Sequence, residues 1–451
     1  MLFTIVSFLF ALAILISVHE FGHFWVARKL GVKVLRFSIG FGPALWKKTG
    51  KVDDTEYMVA AVPLGGYVKM LDEREGDVSE EEKHRAFNRQ SLPVRSAIVA
   101  AGPLFNFLFA ILAYWMVFVS GDMGTKPVVG EVEPASIAAQ AGFHPGDKIL
   151  STAGKETTTW ESFIYTLISE SAGDEDVVVQ VHDERENMRE RVFPISQMAA
   201  VMEEKDFISK IGLKVRRPKL PAVVGELVPG EPAQVSGLIS GDKILTIAGK
   251  EVEDWPGLVA YIQKHPETSQ KITIERSGEI KTLDLKIGKR KVGEQVIGRI
   301  GAGVHVPEGL FDDYRAEVKL NPMAAVGASL SKTWDMSVFM LRMLGKMVTG
   351  RASLDNLGGP ISIAQTAGKS ASYGAVYFLK FLAIVSISLA VLNLLPVPVL
   401  DGGHLLYFLI EAIKGSPLSE PAQMIGQKIG IIALMLLMGV AFYVDISRVL
   451  G

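Results

Sequence analysis

Residues Met1 to Val26 read MLFTIVSFLFALAILISVHEFGHFWV, an almost wholly apolar run with His19-Glu20-Phe21-Gly22-His23 near its far end. The run is long enough to cross a bilayer as a helix, which takes about 20 residues. A cleavable signal peptide would carry a basic leading region and a small-residue cleavage site, and neither is visible. On a helix, positions i and i+4 share a face, so both imidazoles of this H-E-x-x-H can hold one Zn²⁺. Glu20, one residue along, then reaches a water on that metal as general base. A carboxylate and two imidazoles are costly inside a span, and by default such residues face a cavity and have a task there. The alternative is a set of satisfied interior polar residues at a helix end.

Three more apolar segments follow, Ser96 to Val119, Val376 to Leu400 and Ile429 to Val444. Pro103 and Asn106 interrupt the second span; Asn393, Pro396 and Pro398 interrupt the third. The 451-residue chain is 49% hydrophobic yet 21% charged, with a mean hydropathy of +0.28, which suits a part-membrane, part-soluble protein. A formal charge of −2 creates no basic field, so no nucleic-acid partner is expected. The absence of cysteine excludes a disulfide scaffold, a thiolate zinc finger and a cysteine nucleophile. Arg28, Lys29, Lys33, Arg36, Lys47, Lys48, Lys51, Arg89 and Arg95 lie between the first two spans, and nothing basic precedes the first. Positive-inside bias therefore places this segment in the cytoplasm. Both termini and the long stretch between the second and third spans face outside.

That long stretch contains a duplication. Val129-Gly130-Glu131 recurs as Val224-Gly225-Glu226, Gly146-Asp147-Lys148-Ile149-Leu150 as Gly241-Asp242-Lys243-Ile244-Leu245, and Trp160 as Trp255. Each copy reads as strand, short helix, Gly-Asp turn, strand, helix and alternating strands such as Val177 to Val181 and Lys271 to Ile274. This order resembles a circularly permuted PDZ domain. Ile211-Gly212 and Ile300-Gly301 then match the loop that takes a peptide carboxylate. A pair of rigid spacers or a steric filter is the alternative.

Two histidines leave tetrahedral zinc one protein ligand short, with a fourth position kept for water. Asp401 and His404 follow the third span. Between Asn393 and Leu400 two prolines prevent a helix, and irregular backbone at membrane depth lines a cavity. Asp401 is placed as third ligand; His404 is either its rival or a residue that supports the site from behind.

Glu56 to Met70 is apolar, strand-like and too short to span, and reads as a membrane-associated β-hairpin that presents substrate as an added strand beside Glu20. Its alternative is a hairpin packed on the span ends for stability alone. Proline at Val59 and Val62 is expected to stop such pairing. Asp72 to Glu82 reads as a solvated acidic linker. Trp334, Met336, Phe339, Met340, Met343 and Met347 mark either an amphipathic surface helix or an ordinary core face.

His19-Glu20-Phe21-Gly22-His23 and Asn393-Leu394-Leu395-Pro396-Val397-Pro398-Val399-Leu400-Asp401-Gly402-Gly403 resemble the two signatures of the site-2 protease family of intramembrane zinc metalloproteases. Gly40 to Pro43, Pro63 to Met70, Gly102 to Asn106 and Gly358 to Ile361 are also similar to that family, and the likeness covers essentially the whole chain. The resemblance implies zinc on His19, His23 and Asp401, Glu20 as the base, and Asn393 bonded to substrate backbone. With Gly65, Gly66 and Tyr67 of the hairpin it forms the expected substrate-binding set. It further implies a bacterial inner-membrane enzyme acting on single-span membrane proteins: an anti-sigma factor already trimmed outside by another protease, and remnant signal peptides. The tandem repeat would exclude substrates whose exterior domain is intact.

The expected fold is thus a multi-pass α-helical membrane protein with four transmembrane helices, a membrane-associated β-hairpin and two tandem PDZ-like α+β domains. In order these are a first span at 1–26, a cytoplasmic-side β region and linker at 27–95 and a second span at 96–120. PDZ-like units follow at 126–220 and 221–308, then an amphipathic helix and connector at 309–375. A third span at 376–400, a cytoplasmic loop at 401–428 and a fourth span at 429–446 complete the chain. A silent PDZ scaffold would have lost a ligand or the base, and an ion carrier would show polar residues in the fourth span or an inverted repeat. Neither pattern is seen.

Overall fold

The computed structural model describes residues 2–171, 173, 175–201, 210–292, 295–349 and 358–450. Among them, four helices are long and apolar enough to cross a membrane. They are α1 (Leu2–Lys29), α2 (Leu92–Ser120), α5 (Ala375–Leu394) and α7 (Glu420–Leu450). Between them stand β1 (Val34–Thr49), β2 (Glu56–Met70), α3 (Pro322–Val348), α4 (Pro360–Ser372) and α6 (Asp401–Lys414).

Helix α2 is the centre of the bundle: 44% of its apolar window is buried, against 17% in α1 and in α7. Its Ala110, Ala113 and Tyr114 pack with Met336 of α3 and Ala383, Ile387 and Val391 of α5. On the other side, Ala11 and Leu15 of α1 meet Ala367 of α4 and Phe381 and Leu382 of α5. Lipid tails are as apolar as these side chains, so close fit rather than water exclusion selects small residues at the crossings.

Helix α5 stops at Leu394, short of the expected Leu400, because Pro396 forces Leu395 out of helical geometry. Residues 401–428, expected as a loop, instead contain α6 and the first turns of α7, which begins at Glu420 rather than Ile429. The expected linker at Asp72–Glu82 is pinned, not free. Asp72 is buried against Arg74, Glu73 pairs with Arg89, and Lys33 bonds Glu82.

The β region differs from a hairpin confined to Glu56–Met70. Residues Val34 to Ile39 pair with Gly66 to Met70 on one side and with Glu56 to Val59 on the other. Ala44 to Thr49 pairs with Glu56 to Ala60 from beyond. Val59 is therefore an inner position and Val62 pairs with Phe41, so proline there would break the sheet itself. Gly66 to Met70 forms one edge of the sheet and Ala44 to Thr49 the other.

The repeat folds twice alike. Lys148–Thr152 lies between Lys155–Glu156 and Val177–His182, with Met188–Phe193 outermost; Lys243–Ile247, Lys250–Glu251, Ser269–Arg276 and Glu279–Lys286 repeat the order. Val129–Val132 pairs with Leu213–Val215, and Val224–Leu227 with Ala302–Val304. Each unit closes over its own apolar core, and in each the Asp of the Gly-Asp turn is buried on an arginine. Arg191 Nε lies 3.0 Å from Asp147, and Arg276 Nε 2.8 Å from Asp242.

Helix α3 begins at Pro322, later than the Leu310 to Gly350 stretch suggested, because Arg315–Val318 forms a strand with Asp122–Thr125. Along it Met336 is buried in the core, whereas Trp334 and Leu330 face outward.

Candidate active site

Three side chains converge where α1, α2 and the start of α6 meet. His19 Nε2 and His23 Nε2 are 3.2 Å apart, and Asp401 Oδ2 is 3.2 Å from the first and 3.6 Å from the second. A tetrahedron with metal–ligand bonds of about 2.0–2.1 Å has edges of about 3.3 Å. The three separations fit one metal ion, and this is the group among the described residues that could hold one. Asp401 Oδ2 is buried and accepts no hydrogen bond, as expected of an atom whose partner is a cation.

Local sequence explains the convergence. Helical spacing stacks the two rings, whose centroids are 4.9 Å apart. His23 Nδ1–H donates to the Ile98 carbonyl at 2.8 Å, which fixes the tautomer with Nε2 free for metal. Helix α2 comes this close because residue 102 is glycine: a Cβ there would lie 2.3 Å from His23 Nε2. Asp401 opens α6 directly after the proline-broken segment, and at Gly402 a Cβ would run into the Leu395 carbonyl at 2.2 Å. His404, one turn further, stands outside the ligand group with its ring edge-on to Tyr407.

Glu20 faces the β region. A Cβ on Gly66 would sit 2.8 Å from Glu20 Cγ and 2.8 Å from the Ser38 carbonyl, so the outer strand lies directly on the proposed base. Gly65 packs under the Phe41 ring, and Tyr67 stacks on that ring while its hydroxyl accepts from Arg36. Asn393 is half-buried in the last turn of α5, and its side chain makes no hydrogen bond among the described residues. Ser17, Val18, Phe21, Phe37, Ile39 and Phe105 help to line a nearly apolar cavity of about 480 Å³ between α1, β1 and α2.

The two expected carboxylate loops are built alike in their units. Ile211 and Ile300 are core residues, while Gly212 and Gly301 have φ of +82° and +71°. Their carbonyls accept from Glu133 and Val228. Two polar residues carry more than the sequence revealed. Asn106, read in the sequence as an interruption of an apolar span and as the end of the family-like stretch Gly102 to Asn106, lies against His19, and Asp445 of α7 gathers the N–H groups of Gly359, Ile361 and Ser362.

Residues 7–437 match Peptidase family M50. The chain belongs to that family. This M50 peptidase is 44% identical over 448 residues to "Protease RseP" of Yersinia pestis. It is 43% identical over 451 residues to "Regulator of sigma-E protease RseP" of Escherichia coli K12 and 43% over 449 to a "Putative zinc metalloprotease" of Vibrio cholerae. Each alignment covers 99% of both chains. The family resemblance read from the two motifs therefore stands across the whole M50 peptidase.

Proposed function

We propose that this chain is an intramembrane zinc endopeptidase that cleaves single-span membrane proteins. The observation that carries it is the meeting of three ligand atoms at tetrahedral separations, with Glu20 and an outer strand edge beside them. His19, His23 and Asp401 hold the zinc. When bound, zinc acidifies a coordinated water and polarises the scissile carbonyl.

Glu20 takes a proton from the attacking water and returns it to the departing amine. A peptide bond within a helix is shielded, and unwinding it in lipid strands its N–H and C=O groups. The edge at Gly65-Gly66-Tyr67 pairs those groups by strand addition, and Asn393 bonds the substrate backbone near the cut. The apolar cavity takes the substrate's side chains.

The name of the Escherichia coli relative extends the reading to control of sigma-E, and a trimmed anti-sigma factor and remnant signal peptides are the substrates that the family resemblance implies. The protein lies in a bacterial inner membrane with both termini and the repeat in the periplasm. Identical strand order in the two copies supports PDZ-like folds. The docking of the first copy on α3, through Tyr165 and Phe339 rings 5.1 Å apart, supports a filter against substrates with intact exterior domains.

The test is cleavage of a tagged single-span substrate with a short exterior stub, in membranes. Glu20→Gln is expected to lose about 10²–10⁴-fold in rate while keeping its zinc, and a chelator to abolish cleavage. Undiminished cleavage by inserted Glu20→Gln protein would move the chemistry elsewhere and leave the scaffold reading.

A further inference from the structure

Asn106 is a fully buried amide inside an apolar helix, and it bridges three membrane helices. Its Nδ2 lies 3.3 Å from His19 Nδ1, and its Oδ1 is buried without a partner. Its backbone carbonyl accepts from Ser386 Oγ of α5 at 2.8 Å. An amide oxygen buried without a donor is destabilising, which points to a partner for it in the metal-loaded state.

The chemistry of His19 supplies one. Nε2 points at the metal group, so in the loaded site it carries no proton and Nδ1 does. An Nδ1–H facing an amide NH₂ sets donor against donor. A half-turn of the carboxamide, whose two ends have nearly the same shape, brings Oδ1 onto Nδ1–H. That single rotation gives Oδ1 a donor, turns the NH₂ into the space Oδ1 had occupied, and completes a set: Ile98 O orients His23, and Asn106 Oδ1 orients His19.

We infer that Asn106 is a positioning residue for the metal centre, accepting the His19 Nδ1–H through Oδ1 and thereby holding Nε2 in its ligating tautomer. The inference rests on the metal-site reading above. The bond also ties the ring orientation to α2, which Ser386 in turn fastens to α5.

The experiment is zinc affinity of the full-length protein in detergent, by competition with a chromophoric chelator, which needs no proteolysis. Asn106→Leu and the smaller Asn106→Ala both remove the acceptor and are expected to weaken zinc roughly 10- to 100-fold. Asn106→Asp keeps an acceptor oxygen and is expected to stay within a few-fold of wild type. Ser386→Ala removes only the helix-to-helix bond and is expected to leave the affinity unchanged, which separates orientation of the ring from packing. Wild-type affinity in Asn106→Ala, or equal losses in Asn106→Asp and Asn106→Ala, overturns the inference. His19→Ala keeps the two readings apart: if it retains wild-type zinc, the metal site itself falls, whereas its loss beside an unaffected Asn106→Ala rejects only the role of Asn106.

Discussion

Gly102 shows how a single missing side chain decides whether the proposed metal ligands meet. The position His23 Nε2 occupies is the one a Cβ of residue 102 would crowd, at 2.3 Å. Gly102→Ala must therefore push the ring off its position or part α1 from α2. We expect roughly a tenfold or greater loss of zinc affinity with insertion preserved, read by chelator competition. His19, His23, Glu20 and Asp401 were legible as residues because their types are improbable in apolar surroundings. The roles of Gly102 and Asn106 were not, since each acts through a neighbour on another helix, which no local pattern records.

At the scale of elements, the outer strand and the end of α7 each make a separable prediction. Gly66 lies between Glu20 and the Ser38 carbonyl, so Gly66→Ala has to lift the strand from the proposed base. Cleavage should fall while bound zinc stays at the wild-type level; loss of both, or of neither, would count against a strand that presents substrate. Asp445 accepts from three backbone N–H groups at the start of α4 and from the Ser362 hydroxyl. Asp445→Leu leaves the Gly359 and Ile361 N–H groups without this acceptor, at about 1–3 kcal/mol each. Loosening of α4 should appear as a lower unfolding temperature and easier proteolysis around residue 360. Spans and strands were readable from hydrophobic runs and alternation, but the pairing inside β1 and β2 was not. Val34 to Ile39 has neighbours on both sides, and hydropathy does not say which segment will be inside.

The whole molecule joins the repeat to the helical core through a few side chains. Lys332 Nζ stands 4.6 Å over the Tyr165 ring, Arg342 donates to the Ser169 carbonyl at 3.1 Å, and Lys380 pairs with Asp122 at 2.6 Å. The double substitution Tyr165→Ala, Arg342→Ala frees the first unit from α3. Cleavage of a substrate with an intact exterior domain should rise relative to a trimmed one; an unchanged ratio would show that the filter does not work through this contact. The repeat also sets a limit in acid. Burial pushes the Asp242 carboxyl up, and the Arg276 guanidinium with the Ile239 N–H outweighs it, so the group titrates below its ordinary value. Its stabilisation is complete above the unfolded value of about 3.9 and is lost as pH falls through the lower folded one. Thermal unfolding between pH 7 and pH 3 should show a steeper acid loss in wild type than in Asp242→Asn. The sequence by itself determined the number of apolar helices long enough to span, the duplication and the chemical types of the residues proposed to bind metal. Those follow from local composition, since lipid admits only internally bonded helices and a ligand must bring its own donor atom. Only the tertiary structure decided that Asp401 and not His404 stands beside His19 and His23, that Gly66 lies on Glu20, and that Asn106 lies against His19. Each of those depends on where separate helices and strands stop and how closely they pack, and packing distance is a property of two segments at once.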